Sequence, residues 1–150
     1  MNVQIFIPCF MDQLYPRTGF NMVRLLEKAG CTVSYNPNQT CCGQPAFNSG
    51  YWKEAEKVAC KFMSDLQGDD WIVIPSASCA GFVRNYFEKI LTKDTDKQLF
   101  KSINSRLIEL SEFLTMHTQS VNFGARLVGL ATYHDSCAAL RECGIKEGPR

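Results

Sequence analysis

Residues 70–79 have the sequence DWIVIPSASC, which combines a strand-like run with a polar turn that ends in a cysteine. The apolar residues before Pro75 form a short continuous run, which is typical of a strand buried on both faces. Pro75 and the small polar residues after it end this strand. A helix is predicted to follow over residues 79–91. A strand, a short turn and a helix in this order are typical of a parallel α/β sheet.

The same succession of elements extends along the rest of the chain. Further strands are predicted over residues 3–8, 31–35 and 125–134. Further helices are predicted over residues 15–29, 52–66 and 95–116. The resulting order, β-α-β-α-β-α-α-β, implies parallel strands joined by right-handed crossovers, with helices on both faces. We therefore predict a Rossmann-like, three-layer α/β fold.

The composition argues against several classes of function. With 150 residues, of which 45% are hydrophobic and 21% charged, the chain has the size and balance of one globular domain. Its net charge of +1 and its scattered basic residues predict no positively charged patch that could bind nucleic acid. Apolar runs such as WIVI and LVGLA are too short for a membrane span. The N-terminus lacks the features of a signal peptide, so we predict a cytoplasmic protein.

The cysteines are the residues that indicate chemistry. Eight cysteines are too few for a disulfide scaffold of this length, so in a reducing compartment we expect free thiols, some of them metal ligands or redox groups. Cys9 follows the first predicted strand, and Cys41 and Cys42 follow the second. Cys79 follows the third strand and Cys137 the fourth. Because ligands bind beyond the carboxyl ends of parallel strands, we expect the first four thiols to converge.

Four converging thiolates would select a soft metal centre. An iron–sulfur cluster of the 4Fe–4S type and a structural zinc ion both take four such ligands, so the residue pattern leaves both open. Gly43 would let the backbone approach the centre closely, and Pro45 would stiffen the exit from the turn. The helix that begins near Cys79 would direct its N-terminal amides and positive dipole end towards the thiolates.

The spacing of these residues resembles a known family. Cys9, Cys41-Cys42-Gly43 and Cys79 are arranged as in the CCG, or cysteine-rich, domain of heterodisulfide reductases and of the iron–sulfur subunits of glycolate oxidase. The longer segments IPCFMDQLYP, QTCCGQPAFNSGYW, PSASC and TYHDSCAALRECGIK resemble the lactate utilization protein A family. This resemblance covers almost the whole chain.

The resemblance implies an iron–sulfur subunit of a three-protein cytoplasmic system that oxidises L-lactate to pyruvate. It assigns the binding of the cluster to Cys9, Cys41, Cys42 and Cys79. On this interpretation the chain carries electrons together with other subunits of a lactate-oxidising complex. It has no catalytic residue of its own and is not active alone.

The chain departs from these families at two points. Heterodisulfide reductases end the module with CxxC, whereas Ser76 stands three residues before Cys79 here, so one ligand is missing or replaced by a hydroxyl. This difference argues against direct disulfide reduction. Only a short segment follows Cys137, too short for a second CCG motif. We therefore expect a fragment, with one complete module over residues 1–125 and the first strand and cysteine loop of a truncated second module over residues 126–150, where Cys137 would be a ligand.

Two alternative functions remain open. The same thiolates could close a tetrahedral zinc site in a structural or interaction module. Alternatively, Cys41 or Cys42 could cycle through a mixed disulfide in a thiol–disulfide redox enzyme of the heterodisulfide reductase type. Cys31, Cys60 and Cys143 are interpreted as packing residues. The exposed edge of a fragment would favour homo-oligomers through strand pairing.

Overall fold

A parallel sheet forms the centre of the protein, which a computed structural model describes over residues 1–119 and 122–150. In this part of the chain the strands are β1 (Asn2–Ile5), β2 (Thr32–Tyr35), β3 (Trp71–Ile74) and β4 (Leu107–Glu109). They pair in the order β2-β1-β3-β4, and all of these pairings are parallel. The direction in which strands are added reverses beside β1, and α/β proteins bind ligands at such points.

Helices cover both faces of the sheet. In chain order they are α1 (Cys9–Leu14), α2 (Pro16–Lys28), α3 (Gln44–Asn48), α4 (Trp52–Asp65), α5 (Ala77–Ile90), α6 (Asp94–Asn104) and α7 (Leu110–His117), and a π-helical turn follows at Ala138–Glu142. Helices α4, α5 and α6 pack on one face, whereas α2 and α7 pack on the other. The predicted three-layer, Rossmann-like α/β fold is therefore confirmed. Within the described residues, no helix is both long enough and apolar enough to cross a membrane.

The side chains of β3 alternate between the two core layers, as the pleat of a strand requires. Ile72 and Ile74 join the layer under α4, α5 and α6, whereas Val73 joins the layer under α2 and α7. In the first layer, the rings of Phe6 and Phe62 meet edge to face with their centroids 4.7 Å apart. Because both faces of the sheet are packed in this way, the positions of the loops that leave its carboxyl edge are fixed.

Most of the predicted elements are confirmed. The strands predicted over residues 3–8, 31–35 and 70–75 correspond to β1, β2 and β3. The helices predicted over residues 15–29, 52–66 and 79–91 correspond to α2, α4 and α5. The short helices α1 and α3 are not among the predicted elements, because segments of five or six residues show no helical period.

Two predictions for the C-terminal third of the chain are wrong. The single helix predicted over residues 95–116 is instead divided into α6, β4 and α7. The residues of β4 pair with the edge of β3 and become buried, and a local sequence pattern cannot reveal such a distant partner.

The strand predicted over residues 125–134 does not form. The sheet edge beside β3 is already occupied by β4, so this segment finds no partner strand there. The side chains of Val128 and Leu130 are accordingly 101% and 105% exposed. The division of the chain into modules at residue 125 stays a prediction.

Candidate metal centre

Four cysteines lie in the loops beyond the carboxyl ends of β1, β2 and β3. Cys9 is the first residue of α1, shortly after β1. Cys41 and Cys42 lie in the loop between β2 and α3, and Cys79 lies in the first turn of α5 after β3. Because β1 lies between β2 and β3, the three loops are neighbours at one edge of the sheet.

The sulfur atoms of these cysteines form two contacting pairs. The Sγ atoms of Cys9 and Cys41 are 3.5 Å apart, and those of Cys42 and Cys79 are 3.4 Å apart. The backbone N–H of Gly43 donates a hydrogen bond to Cys41 Sγ at 3.4 Å. Cys9 is exposed, whereas Cys42 is buried, so the site extends from the surface into the core. The structure therefore brings together the four cysteines that the sequence predicts to converge.

The four thiols change one another's pKa. A hydrogen bond to Cys42 and burial raise the pKa of Cys41 far above its ordinary value. The pKa of Cys42 is raised to about 12, because the lowering by the hydrogen bond with Cys41 is outweighed by the hydrogen bond to Cys79 and by burial. Burial and the neighbouring Cys41 raise the pKa of Cys9.

Cys79 differs from the other three thiols. The hydrogen bond from Cys42 lowers the pKa of Cys79, burial opposes this effect, and a hydrogen bond from Ser76 adds to the lowering. Cys79 is therefore the first of the four to become a thiolate as the pH rises. The thiolate is the form of cysteine that binds metal and attacks electrophiles.

The residues predicted to shape the loops lie where α3 and α5 begin. Gly43 precedes α3 with a backbone φ of 90°, a conformation that side chains with a Cβ rarely adopt. Pro45 follows in the first turn of α3, where its missing N–H leaves no helical hydrogen bond unmade. Ser76 precedes α5 in an extended conformation. Each of these residues therefore sets the direction of the chain next to a site cysteine.

Two further contacts hold the loops together and are not predicted from the sequence. The hydroxyl of Ser78 donates to Gln44 Oε1 at 2.9 Å, which joins the start of α5 to the start of α3. The side chain of Gln39 accepts a hydrogen bond from Ile7 N at 2.6 Å and donates one to Ile5 O at 3.2 Å. Gln39 thus ties the loop of Cys41 to the end of β1. In the sequence, Gln39 is marked only by its position just before the paired cysteines. That position does not indicate which groups Gln39 contacts.

The remaining cysteines lie elsewhere in the fold. Cys31 belongs to the core layer under α2, and Cys60 packs at the edge of the opposite layer. The thiol of Cys143 donates to the carbonyl oxygen of Ala77 at 3.4 Å. Cys137 is exposed just before the π-helical turn, and neither sulfur pair of the site includes it. The interpretation of Cys31 and Cys60 as packing residues is confirmed.

The set of donor atoms fits the chemistry of a soft metal, although the sulfurs do not stand in a preformed tetrahedron. In residues 1–119 and 122–150, no group of three or more Cys, His, Asp or Glu side chains has a geometry ready to hold a metal ion. A zinc ion with Zn–S bonds of about 2.3 Å separates its sulfur ligands by about 3.8 Å. The two sulfur pairs are closer than this, at 3.4 Å and 3.5 Å, because S–H groups bridge them. Loss of the thiol protons on metal binding would remove these bridges and let the pairs open.

Residues 3–84 match the family model for the cysteine-rich domain CCG, and this segment contains all four site cysteines. The chain belongs to the CCG cysteine-rich domain family. The match covers more than half of the chain and extends from β1 into α5. The CCG domain therefore comprises the first three strands and the three loops that carry the thiols, which confirms the predicted family.

Curated relatives extend the similarity beyond the CCG domain. The chain is 38% identical to Lactate utilization protein A of Anoxybacillus flavithermus over 149 residues, which are 99% of this chain and 63% of the relative. It is 39% identical to Lactate utilization protein A of Geobacillus kaustophilus over 150 residues, which are 99% of this chain and 62% of the relative. The chain thus spans less than two thirds of the length of these relatives. No solved structure matches it.

Proposed function

We propose that the chain is an iron–sulfur electron-transfer module of a cytoplasmic, multi-protein system that oxidises L-lactate to pyruvate. The observation that carries the proposal is the convergence of four thiols, in two contacting pairs, from three loops of a CCG domain. The name of the relatives, Lactate utilization protein A, supports the assignment to lactate metabolism. Because the relatives are longer than this chain, the activity of the whole protein and its partners are inferred as part of this proposal.

In this proposal Cys9, Cys41, Cys42 and Cys79 hold the cluster, which we assign to the 4Fe–4S type. Such a cluster supplies one-electron transfer at a potential that the surrounding hydrogen bonds and burial adjust. The N–H of Gly43, which donates to Cys41 Sγ, is one group of the chain that would adjust it.

In this proposal, partner proteins carry out the oxidation of lactate, and this chain transfers the electrons. Oxidation of lactate to pyruvate releases two electrons and two protons, and an iron–sulfur module passes the electrons singly to a downstream electron carrier. The groups that hydrogen-bond to the sulfurs are other thiols, backbone amides such as that of Gly43, and the Ser76 hydroxyl. Groups of this kind orient and stabilise thiolates, and they are poor bases for a hydroxy acid.

The exposure of the site is consistent with electron exchange at the surface. Cys9 is exposed, and it lines an open cavity of about 270 Å³ together with Cys41, Tyr35 and Gln39. A partner that carries an electron could therefore approach one side of the centre without displacing a core element. The buried Cys42 anchors the opposite side.

The second candidate function is a zinc-binding structural or interaction module. It is favoured by the convergence of four cysteine sulfurs, because a structural zinc site is closed by four such ligands. This candidate predicts a colourless protein whose folding depends on one zinc ion.

The deciding experiment is the content of iron, acid-labile sulfide and zinc in anaerobically purified protein, with electron paramagnetic resonance of the reduced sample. The proposal expects about four irons and four sulfides per chain. Cys41→Ser and Cys79→Ser should lose most of this content, whereas Cys60→Ser, a half-buried cysteine outside the site, should retain it. Stoichiometric zinc without sulfide would overturn the proposal in favour of the structural module. Metal-free protein that incorporates no cluster on reconstitution would favour thiol–disulfide chemistry instead.

A further inference from the structure

The C-terminal part of the chain packs against α5, the helix that carries Cys79. The π-helical turn and the residues after it, 138–145, lie along this helix, and we refer to them as the brace. Ala139 and Ile145 are buried, and the N–H of Ile145 donates to Ala139 O at 2.8 Å. The brace is therefore a closed turn with its own apolar contacts, and it lies outside the residues that match the CCG domain.

Gly81 lets the brace approach the helix closely. A Cβ atom at this position would lie 2.6 Å from the Cβ of Glu142 and 3.4 Å from the sulfur of Cys143. Gly81 lies within α5, where the backbone alone does not require glycine, because any residue can adopt helical angles. The need for glycine therefore arises from the contact with the brace.

Polar contacts fix the brace on either side of Gly81. The side-chain amide of Asn85 donates to the carbonyl oxygen of Glu142 at 2.9 Å and to its carboxylate at 3.1 Å. The thiol of Cys143 donates to the carbonyl oxygen of Ala77 at 3.4 Å. Ala77, Gly81 and Asn85 are spaced by four residues, so the brace contacts one continuous stripe of α5.

Cys79 belongs to a different face of the same helix. Val83 and Phe87, which follow Cys79 at intervals of four, are fully buried in the core layer. Cys79 itself contacts the sulfur of Cys42 at 3.4 Å. The first turn of α5 is therefore held between the core and the brace, with the thiol on the inner side and the Ala77 carbonyl on the outer side.

We propose that the brace is a positioning element for the candidate metal centre, which fixes the first turn of α5 so that Cys79 stays in contact with Cys42. The inference rests on the proposed function only in taking Cys79 as a ligand. Among the described residues, no hydrogen bond joins the brace to either sulfur pair, so the brace acts through the position of the helix.

Gly81→Ala tests this proposal in the full chain. Alanine is favoured over glycine inside a helix, so the substitution should strengthen α5 itself while its Cβ displaces the brace. In metal-free protein, mass spectrometry after alkylation should show Cys143 reacting about tenfold faster or more, because local opening controls the reactivity of protected groups. The alkylation rate of Cys79 should change with it, and in reconstituted protein the electron paramagnetic resonance signal should shift or broaden.

The double variant Gly81→Ala with Glu142→Gly is the matched control. It removes the Cβ that the new methyl group meets, so protection of Cys143 and the wild-type rate at Cys79 should return, as judged against Glu142→Gly alone. Cys143→Ala provides a second test, because it removes the hydrogen bond to Ala77 without adding bulk, and it should alter the rate at Cys79 in the same direction.

Two results would overturn the proposal. One is a Gly81→Ala protein with exposed Cys143 but unchanged reactivity of Cys79 and an unchanged cluster signal. The other is Gly81→Ala with Cys143 still protected, which would show that the brace does not need this glycine. A wild-type protein that binds no metal would defeat the proposed function alone, since the thiol measurements do not depend on a metal.

Discussion

The thiol of Cys42 lies 3.4 Å from the sulfur of Cys79, although the two residues are 37 positions apart in the chain. This contact joins the loop after β2 to the first turn of the helix after β3. It also connects a buried thiol with a raised pKa to a thiol whose pKa is lowered. The pair therefore links two loops, and its hydrogen bond is the main cause of the lowered pKa of Cys79.

Replacing Cys42 should change the pH at which Cys79 reacts. The hydrogen bond from Cys42 is the main cause of the lowered pKa of Cys79, so Cys42→Ala should raise that pKa. Because the thiolate is the reactive form, the alkylation rate of Cys79 rises with pH through its pKa, and in the variant this rise should move to higher pH. Mass spectrometry of metal-free protein, alkylated over a series of pH values, measures the shift.

Two control variants belong to this experiment. Ser76 lowers the pKa of Cys79 less than Cys42 does, so Ser76→Ala should produce a smaller shift in the same direction. Cys60→Ala lies outside the site and should leave the pH profile of Cys79 unchanged. An unchanged profile in Cys42→Ala would mean that the two sulfurs are not hydrogen-bonded in solution.

Gly43→Ala should destabilise the protein and disturb the site. At a φ of 90° a Cβ is strained, at a cost of about 1–3 kcal/mol. It would also contact the Ala55 carbonyl oxygen and the Val58 side chain at 3.4 Å. Gly50→Ala is the matched control, because Gly50 has a φ of 81° but no atom within 4 Å of the added Cβ. Urea unfolding should therefore show a larger loss for Gly43→Ala, and equal losses would exclude a role for the contacts.

Arg106 should contribute strongly to stability without touching the site. Its buried guanidinium donates to the carbonyl oxygens of Asp70, at 2.6 Å, and Leu66, and so it joins the end of α4 to the start of β3. Arg106→Met should lower the free energy of unfolding by about 2–4 kcal/mol, because charge-assisted hydrogen bonds to buried carbonyls are lost. Arg24→Met, at an exposed position of α2, should change it by less than about 0.5 kcal/mol. Similar losses in both variants would contradict this account.

The exposed segment around Val128 should tolerate charge. Val128→Lys combined with Leu130→Lys should alter the free energy of unfolding by less than about 0.5 kcal/mol, because both side chains are exposed. Ile74→Ala, in the buried β3, should cost about 2–5 kcal/mol by comparison. Thermal unfolding of the three proteins provides the test. Strong destabilisation by the lysines would indicate that this segment is packed in solution.

The first three strands and their helices could be predicted from the sequence because each carries its own local signal. The continuous apolar run of β3 and the helical spacing of α2 are examples, and turn residues separate both from their neighbours. Parallel topology then follows from the order of the elements, and it places Cys9, Cys41, Cys42 and Cys79 at one edge. The convergence of the thiols therefore required no knowledge of tertiary contacts.

The C-terminal third could not be predicted in the same way, because its structure depends on which segment pairs with the outer edge of β3. The three residues of β4, Leu107–Glu109, are too few to show a strand period. Residues 125–134 carry a strong strand pattern, but the edge of β3 is occupied by β4. The contacts by which Gln39 and the brace hold the loops and α5 in place also cannot be predicted from the sequence. Hydrogen bonds between side chains and distant backbone groups produce no periodic pattern in the sequence.

The strand order has a consequence for the timing of assembly. The two sulfur contacts close separations of 32 and 37 residues. The contact between Cys9 and Cys41 requires β1 and β2 to be paired, and the contact between Cys42 and Cys79 also requires β3 on the other side of β1. Contacts of this range form late, after the crossovers that bring distant segments together. A nascent chain therefore presents no complete thiol set until β3 has been synthesised and docked. Machinery that delivers a cofactor to this protein therefore meets all four thiols together only after β3 has docked, whereas Cys9 and Cys41 are brought together once β1 and β2 have paired.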